Sequence, residues 1–401
     1  MYSSLFTLYS SLFTLHSSLS TLHPLLFTLY SSLFTLYSSL FTLHPSLFTL
    51  VVMTIGEAIK KVVERSDLTE QEAESVLEQI MSGECSDPQI ASLLTAMRMK
   101  GETVDELTGF ARVMRRRAAT VKPRSPAASG ISGTGRAALI DTCGTGGDVS
   151  GSFNVSTATA LVVAGAGVRV AKHGNRSVTS LCGSIDVAEA LGVKVDLPVE
   201  RIGACIDEVG IAFLFAQLLH SAMKHVAGVR RQIPVRTIFN MLGPLTNPAG
   251  ADSQLIGVYA PHLTEMLATV LGRLGSRRAI VAHGSDGMDE ISISGPSRIS
   301  ELRESRITTY TISPEDFGIT TASLRDIQGG DASQNARLIL DLLNGSTGPR
   351  RDIVLLNAAA ALTASEKAAD MNEGLTMAAD SIDSRKALRK LTQLIDFTNS
   401  N

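Results

Sequence analysis

A glycine-rich segment, DTCGTGGD, occupies residues 141–148 and carries groups that could bind an anion. Its glycines permit positive φ angles and a close approach of the backbone to a ligand, while Thr145 and Asp148 add a hydroxyl and a carboxylate. Backbone amides in loops of this kind bind phosphate groups. Taken alone, a glycine cluster is more typical of an ordinary turn, so a phosphate-binding interpretation depends on the residues around it.

Two further polar groups follow this glycine-rich segment. Asn154, Ser156 and Thr157 stand at the head of an apolar stretch, where the unpaired amides of a helix start would face an anion, although NVST is also an ordinary helix cap. KHGNRSVTS at residues 172–180, with Ser184 beyond it, offers a cation, an imidazole, an amide and hydroxyls. These groups suit a sugar phosphate or a pyrophosphate, and behind a glycine-rich segment we favour ligand binding over a plain surface loop.

Adjacent carboxylates at Asp289 and Glu290 could bind a metal ion. Magnesium commonly uses one or two carboxylates together with substrate phosphates, although an isolated acidic pair fits a surface turn better. Cys143 and Cys182 lie near the polar motifs, but no pattern of His and Asn accompanies them. We therefore expect thiols that are not nucleophiles.

The elements that must position these motifs form two groups. Residues 53–121 are predicted to be a small helical domain, residues 122–136 a Pro/Ser/Gly-rich linker, and residues 137–401 a larger α/β domain. In the last region short apolar runs alternate with helical segments, which predicts a mostly parallel central sheet. Both polar loops are predicted to begin where strands end, after Ile140 and Ala171, and ligands bind at the carboxyl ends of such strands.

Helix and strand positions follow from hydrophobic spacing and capping residues. Helices are predicted at 55–63, 69–83, 86–100, 103–120, 156–164, 186–191, 199–209, 263–274, 333–343, 352–362 and 384–397, and strands at 137–140, 168–171, 211–215, 253–259 and 278–282. The arginine run at 115–117 ends the fourth helix, and we interpret it as a solvated face.

Residues 1–52 differ from the rest of the chain. They repeat a heptapeptide, SSLFTLY or SSLFTLH, and no charged residue occurs before Glu57. Paired serines, prolines and the lack of flanking charges argue against a coiled coil. The interrupted apolar runs argue against a membrane span, and the missing basic region argues against a signal peptide. We expect Met53 to be the working start, with the repeat either a disordered tail or an untranslated tract.

Composition narrows the classes of function. The 401 residues are 44% hydrophobic and 19% charged with a net charge of −3, which indicates a soluble globular protein that binds neither nucleic acid nor a membrane surface. The four cysteines are scattered, which is typical of a reducing, cytoplasmic setting.

Five motifs, in this order, resemble the anthranilate phosphoribosyltransferase family: DTCGTGGD, FNVST, KHGNRSVTS, VRRQIPVRTIFNMLGPLTNPA at 229–249 and GMDEIS at 287–292. The resemblance runs from about Met53 to the C-terminus. It implies a nucleoside phosphorylase/phosphoribosyltransferase type of fold, with a small helical domain and a larger α/β domain. It also implies a homodimer and an enzyme that joins the amine of anthranilate to C1 of phosphoribosyl pyrophosphate, releasing pyrophosphate, in the second step from chorismate to tryptophan.

The resemblance further implies roles for individual residues. The phosphoribosyl pyrophosphate site would comprise Gly144, Gly147, Asp148, Ser152, Asn154, Val155, Ser156, Thr157, Lys172, His173, Gly174, Asn175, Arg176, Ser177, Val178, Thr179, Ser180 and Ser184. Anthranilate would contact Gly144, Asn175 and Arg230, although by geometry alone Arg231 could serve equally. Ser156, Asp289 and Glu290 would hold Mg²⁺, with two ions per subunit. No general acid or base is assigned, because the aromatic amine is neutral at pH 7 and positioning and electrostatics carry the reaction.

The sequence departs from the family pattern at a few positions, none of them a predicted ligand. Gln217 and Ser221 replace common prolines, Pro234 replaces a glycine and Ile185 a small residue, so anthranilate affinity is the property most affected. Two alternatives share this architecture. A pyrimidine nucleoside phosphorylase would have a different phosphate loop and no use for paired carboxylates, and a non-catalytic nucleic-acid-binding relative would need a basic groove and eroded motifs.

Overall fold

The computed structural model describes residues 53–123, 138–147, 150–177 and 181–400, together with Ser32. Met53–Asn401 form one compact unit, separate from Met1–Val52. The repeat, most of the predicted linker, and the predicted site residues Asp148, Val178, Thr179 and Ser180 lie outside the described residues.

Four helices open the compact unit, at the positions that the sequence predicts. Their bounds are α1 Ile55–Val63, α2 Glu70–Ser82, α3 Asp87–Lys100 and α4 Val104–Arg117. Local capping explains the agreement. At the starts of α1, α2 and α4, a threonine hydroxyl accepts a hydrogen bond from the amide of the third helical residue, a glutamate. The side chain of that glutamate accepts a hydrogen bond from the threonine amide in return. Gly83, at φ +79°, ends α2 in the left-handed region.

A seven-stranded sheet forms the centre of the larger domain. Its strands are β1 Leu139–Gly144, β2 Arg169–Gly174, β3 Ile211–Phe215, β4 Ser253–Gly257, β5 Arg278–Gly284, β6 Ser297–Arg303 and β7 Arg306–Ile312. The order across the sheet is β3-β2-β1-β4-β5-β6-β7, with β1 to β5 parallel and β6 and β7 antiparallel to their neighbours. Chain order reverses between β1 and β4, which is where open α/β sheets bind ligands.

Helices cover both faces of the sheet. They are α5 Val155–Gly165, α6 Ser184–Ala190, α7 Val199–Glu208, α8 Ala216–Leu219, α9 Lys224–Gln232, α10 Ile238–Leu245, α11 Leu263–Arg273, α12 Ala332–Leu343, α13 Pro349–Ala364, α14 Met371–Asp383 and α15 Lys386–Asn399. Short 3₁₀ turns lie at Ser221–Met223, Pro314–Phe317 and Leu324–Ile327. None of the described helices combines the length and apolar character that a membrane crossing requires.

Two hydrophobic cores lie on opposite faces of the sheet. Successive strand residues point to opposite faces, so Ile280 of β5 joins the core under α5 and α13 while Val281 joins the other. The second core also contains α10, α11 and the opening helices, for example Phe110 of α4. The opening helices therefore share a core with one face of the sheet.

The predicted ends of two strands and the predicted exposure of the arginine run are wrong, and several elements were not predicted. β1 and β2 do not end at Ile140 and Ala171 but continue to Gly144 and Gly174, because the polar residues that follow find buried partners. β6, β7 and several helices, among them α9, α10 and α14, were not predicted. The arginine run is not uniformly solvated: Arg115 is part-buried and donates to the carbonyls of Leu245 and Leu274, at the C-terminal ends of α10 and α11.

Candidate active site

The strands β1, β4 and β5 each end in a glycine, and their carboxyl ends lie side by side in the sheet. Gly144 at the end of β1 pairs with Gly257 at the end of β4, and the turn after β5 lays Asp289 across both. A Cβ at Gly257 would overlap the Asp289 carbonyl oxygen, and one at Gly144 would stand 2.6 Å from Asp289 Oδ2. Both positions therefore require glycine, and the close approach places a carboxylate directly on the glycine-rich segment.

Each described residue of the segment beyond β1 is held by a different neighbour. Thr145 donates its amide to the Gly257 carbonyl at 2.9 Å and accepts the amide of Tyr259 at 3.2 Å through its hydroxyl. The Gly146 amide donates to Asp289 Oδ2 at 2.8 Å. Gly147, at φ +77°, accepts a hydrogen bond from Arg236 through its carbonyl. Four hydrogen bonds from other segments thus hold the glycine loop (residues 144–147).

The start of α5 lies beside this loop. Thr142 of β1 donates through its hydroxyl to the Ser156 carbonyl at 3.1 Å, and Lys172 of β2 donates through Nζ to Ser156 Oγ at 3.1 Å and to the Thr142 carbonyl. Lys172 is 1% exposed and burial lowers its pKa. The lysine assigned to a loop by sequence is therefore a strand residue beneath the predicted metal-binding hydroxyl.

Asp141 is a second buried charge at this level of the sheet. It accepts the His173 amide at 3.1 Å and the Asn247 side-chain amide at 2.8 Å. Burial raises the pKa of Asp141 to about 6, against the opposing effects of the Asn247 hydrogen bond and the Lys172 charge. Asn247 also donates to the Ala171 carbonyl at 2.8 Å, so Asp141 and Asn247 tie β1, β2 and the segment after α10 together.

Asn154 and Thr157 at the start of α5 differ in their surroundings. Asn154 Oδ1 accepts the side-chain amide of Asn335, from α12, at 2.9 Å. The buried Thr157 hydroxyl has no hydrogen-bond partner among the described residues. Burial raises the pKa of the Cys143 and Cys182 thiols, which argues against either as a nucleophile.

The loop after β2 is turned toward α6. Arg176 forms a bidentate pair with Glu189, at 2.5 and 2.8 Å, and a further bond to Asp186 at 3.0 Å. Asp186 also accepts the amides of Ser177 and Gly183, at 3.0 and 2.9 Å. The structure thus brings Arg176 to the carboxylates of α6, whereas the Ser184 hydroxyl lies against Gly174 at the strand end.

Two histidines, His173 and His220, contact each other. Their ring centres lie 5.1 Å apart with the rings tilted by 48°, and His173 Nδ1 lies 3.1 Å from the Gly243 carbonyl. Burial lowers the pKa of His173 to about 3 and that of His220 to about 4. Both rings are therefore neutral in the folded protein at pH 7.

The environments of the two adjacent arginines of α9 differ. Arg230 is half-buried, and its guanidinium lies 5.3 Å from the centre of the Phe239 ring, while Arg231 is exposed. Burial lowers the pKa of Arg230. The half-buried side chain is the one that the family resemblance assigns to anthranilate.

Of the departures from the family pattern, Gln217, Ser221 and Pro234 are exposed and Ile185 is fully buried.

Asp289 and Glu290 supply hard oxygen atoms, and Asp289 lies against Gly144, Gly146 and Gly257. Among the described residues there is no cluster of three or more His, Cys, Asp or Glu that could hold a metal. This sparse donor set fits Mg²⁺ bound through one or two carboxylates and substrate phosphates rather than a protein cage.

Comparison with known proteins gives the same architecture. Residues 56–118 match the helical bundle domain of a glycosyl transferase family, and residues 136–388 match its a/b domain. An anthranilate phosphoribosyltransferase of Pelotomaculum thermopropionicum is 56% identical over 346 residues, which are 86% of this chain and 97% of that protein. The chain belongs to the anthranilate phosphoribosyltransferase family.

Other members of the anthranilate phosphoribosyltransferase family agree. The protein of Moorella thermoacetica is 55% identical over 342 residues, covering 85% of this chain and 98% of its own. The crystal structure from Thermus thermophilus superposes with a TM-score of 0.79 at 41% identity, over 86% of this chain and 99% of that one. The Saccharomyces cerevisiae enzyme in complex with PRPP and Mg gives a TM-score of 0.77 at 26% identity, over 86% and 98%. The predicted family and fold class are confirmed.

Sequence reasoning missed three positions of this family site. Arg236 and Asn247 stand inside the quoted motif at 229–249 but had no role assigned, and Tyr259 had no motif at all. The signal for Arg236 and Asn247 was their place in that motif. Their partners, Gly147 and Asp141, are 89 and 106 residues away in sequence, so only the fold shows the contacts.

Proposed function

We propose that this chain transfers the phosphoribosyl group of phosphoribosyl pyrophosphate to the amine of anthranilate. A bond forms between the amine nitrogen and C1, the bond from C1 to the pyrophosphate oxygen breaks, and the amine gives up one proton. The observation that carries this proposal is the Asp289 carboxylate lying on a glycine loop where the strand order reverses, in a chain of this family. The relatives support the transferase and not the phosphorylase or the nucleic-acid-binding alternative.

The pyrophosphate end of the donor substrate belongs, in this proposal, at the glycine loop and the start of α5. Amides at a helix start attract anions, and the buried Lys172 ammonium adds positive charge beneath Ser156. The Thr157 hydroxyl and the polar residues after β2 complete the predicted set. Arg176 would reach the substrate only by leaving its pairs with α6, because its donors are directed to Glu189 and Asp186.

The metal site would use Ser156, Asp289 and Glu290, and we propose two Mg²⁺ ions for each subunit. When bound, the metal supplies positive charge that stabilises the departing pyrophosphate. Support comes from the hard oxygen donors and from the PRPP and Mg in the yeast neighbour. One oxygen of Asp289 is already used by the Gly146 amide, so the same carboxylate joins the metal site to the glycine loop.

Anthranilate would lie between Gly144, Asn175 and Arg230, as the family pattern implies. The half-buried Arg230 guanidinium offers a planar fork for the benzoate carboxylate. Among the described residues, the buried His173 and Asp141 are poorly suited to strong general-base catalysis: the Nδ1 of His173 lies against the Gly243 carbonyl, and Asp141 already accepts two hydrogen bonds. The geometry supports positioning and electrostatic stabilisation as the source of rate. A homodimer and a cytoplasmic setting stay predictions.

The direct test is the loss of anthranilate fluorescence when phosphoribosyl pyrophosphate and Mg²⁺ are added to the pure protein. We expect turnover, and we expect Asp289→Asn and Glu290→Gln each to raise the Mg²⁺ concentration at half-maximal rate about tenfold or more. Asp341→Asn, which changes an exposed carboxylate of α12, is the matched control. Release of a pyrimidine base from a nucleoside and phosphate, without anthranilate turnover, would refute the transferase, and an unchanged Mg²⁺ response in both variants would refute the metal assignment.

A further inference from the structure

Arg236 lies between the glycine loop and an aromatic ring. Its guanidinium carbon stands 4.0 Å from the centre of the Tyr259 ring, and its Nη2 donates to the Gly147 carbonyl. A Cβ on Gly147 would stand 3.1 Å from the same nitrogen, so the arginine packs directly against the loop backbone. Arg236 lies in the segment between α9 and α10, and Tyr259 follows β4.

Tyr259 is attached to the same loop by a separate bond. Its amide donates to Thr145 Oγ1 at 3.2 Å, while the Thr145 amide donates to the Gly257 carbonyl at 2.9 Å. The ring that supports Arg236 is therefore fixed relative to the loop that Arg236 holds. Arg236, Tyr259, Thr145 and Gly147 form a closed circuit of contacts on one side of the loop.

This circuit restrains the backbone where glycine would otherwise leave it free. Glycine populates positive and negative φ about equally, so a loop with adjacent positive φ angles at Gly146 and Gly147 has many accessible conformations. A peptide unit whose carbonyl is bound cannot rotate freely, so the loop amides keep their direction. A group that orders such a loop before binding removes an entropy cost from the binding step.

We propose that Arg236 is a positioning residue: stacked on Tyr259, it holds the Gly147 carbonyl and so pre-organises the glycine loop for the pyrophosphate group of the substrate. This inference rests on the proposed function. It assigns to Arg236 a hydrogen-bonding and packing role toward the loop rather than a direct contact with the anion. It also assigns Tyr259 a role through its ring face, since the ring supports the guanidinium.

Substitutions of Arg236 separate the hydrogen bond from the charge. Arg236→Gln keeps an N–H donor for the Gly147 carbonyl but removes the charge, and Arg236→Met removes both. Arg236→Lys keeps the charge but loses the planar face for Tyr259. Tyr259→Phe keeps the aromatic ring, and Tyr259→Leu removes it. Arg337→Met, at an exposed arginine of α12, is the control for loss of a positive charge.

The measurement is kcat and KM for each substrate by anthranilate fluorescence, with thermal unfolding to verify folding. We expect Arg236→Met to raise KM for phosphoribosyl pyrophosphate by about tenfold to a hundredfold, with a much smaller change in KM for anthranilate. Arg236→Gln should recover a large part of that loss. Tyr259→Leu should show part of the increase in KM seen in Arg236→Met, and Tyr259→Phe none of it. In the double variant Arg236→Met/Tyr259→Leu, the increase in KM should be smaller than the product of the two single increases.

Two results would overturn the inference. The first is wild-type kinetics in Arg236→Met. The second is near-normal kinetics in Arg236→Lys while Arg236→Gln and Arg236→Met are equally impaired, which would indicate that the arginine charge acts on the anion. If Arg236→Met fails to fold, the Gln and Lys variants and the Tyr259 pair still decide the matter. Absence of turnover in the wild-type chain would instead contradict the proposed function. Wild-type turnover with no effect of Arg236→Met contradicts only this inference.

Discussion

At the scale of single residues, the site holds ionisable groups whose buried surroundings set their charge. His173 and His220 are held neutral, with pKa values lowered by burial to about 3 and about 4, and Asp141 has its pKa raised to about 6. The signs differ. Protonation of either histidine favours the unfolded chain, whereas protonation of Asp141 favours the folded one. Lowering the pH therefore destabilises the folded protein through the two histidines and stabilises it through Asp141.

We predict that His220→Gln makes stability less sensitive to acid. The unfolded pKa is about 6.5 and the folded one about 4, so the contribution of a neutral His220 is complete above pH 6.5 and is lost as the pH falls toward 4. Between pH 7 and pH 5 the wild type should lose about 2 kcal/mol more unfolding free energy than the variant. Urea unfolding at the two pH values measures this. His262→Gln, at an exposed histidine, should leave the wild-type dependence intact, and equal losses in wild type and His220→Gln would contradict the prediction.

At the scale of elements, success or failure of sequence prediction depended on how far away the deciding partner lies. The helices α1, α2 and α4 could be predicted because each start is capped by residues three apart. The ends of β1 and β2 could not, because Asp141 and Lys172 look like loop residues on polarity alone. Asp141 is buried against Asn247, 106 residues away, and Lys172 against Ser156, so the strands continue through polar positions.

The same reason explains the candidate site. The motifs gave the residues that ligands would contact, since these are concentrated in short segments with glycine and hydroxyl side chains. The residues that hold those segments come from other elements: Tyr259 and Asn335 carry no local pattern, and Arg236 lies in the motif at 229–249, which does not show its partner. Arg115 shows the converse, because a run of three arginines resembles a solvated helix end although its first member is part-buried.

We predict that Arg115 joins the opening helices to the sheet domain energetically. It donates at 2.7 Å to the Leu245 carbonyl and at 3.2 Å to the Leu274 carbonyl, and burial lowers its pKa to about 10. Arg115→Met should therefore lower the unfolding free energy by about 2–3 kcal/mol, since two part-buried carbonyls lose a charged donor. The measurement is the denaturant midpoint. Arg116→Met, which loses surface ion pairs with Glu74 and Glu78, should cost under about 1 kcal/mol, and equal midpoints for the two variants would contradict the assignment.

At the scale of the whole molecule, the compact unit begins where the family resemblance begins. Met53–Asn401 form one unit, and the relatives from Pelotomaculum and Moorella are matched over 97% and 98% of their own length by 86% and 85% of this chain. The two matched family domains cover residues 56–118 and 136–388, so the heptapeptide repeat lies outside both.

We predict that a chain beginning at Met53 keeps the kcat and both KM values of the full chain, because the site residues and both hydrophobic cores lie within the compact unit. Steady-state kinetics on the two purified chains measure this. A chain beginning at Glu64 is the matched comparison: it removes α1 with Ile55, Ala58 and Val62 from the second core and should unfold more readily. Lower activity of the Met53 chain would assign the repeat a part in the reaction.

The bond between Gly146 and Asp289 joins residues 143 apart in sequence, and that between Asn154 and Asn335 residues 181 apart. At roughly 5–20 residues per second on the ribosome, Asp289 is made about 7–29 s after the glycine loop. During that interval the glycine loop lacks the carboxylate that accepts the Gly146 amide in the folded protein. If the proposed site is correct, substrate binding can add to the stability of the chain only after residue 289 has been made.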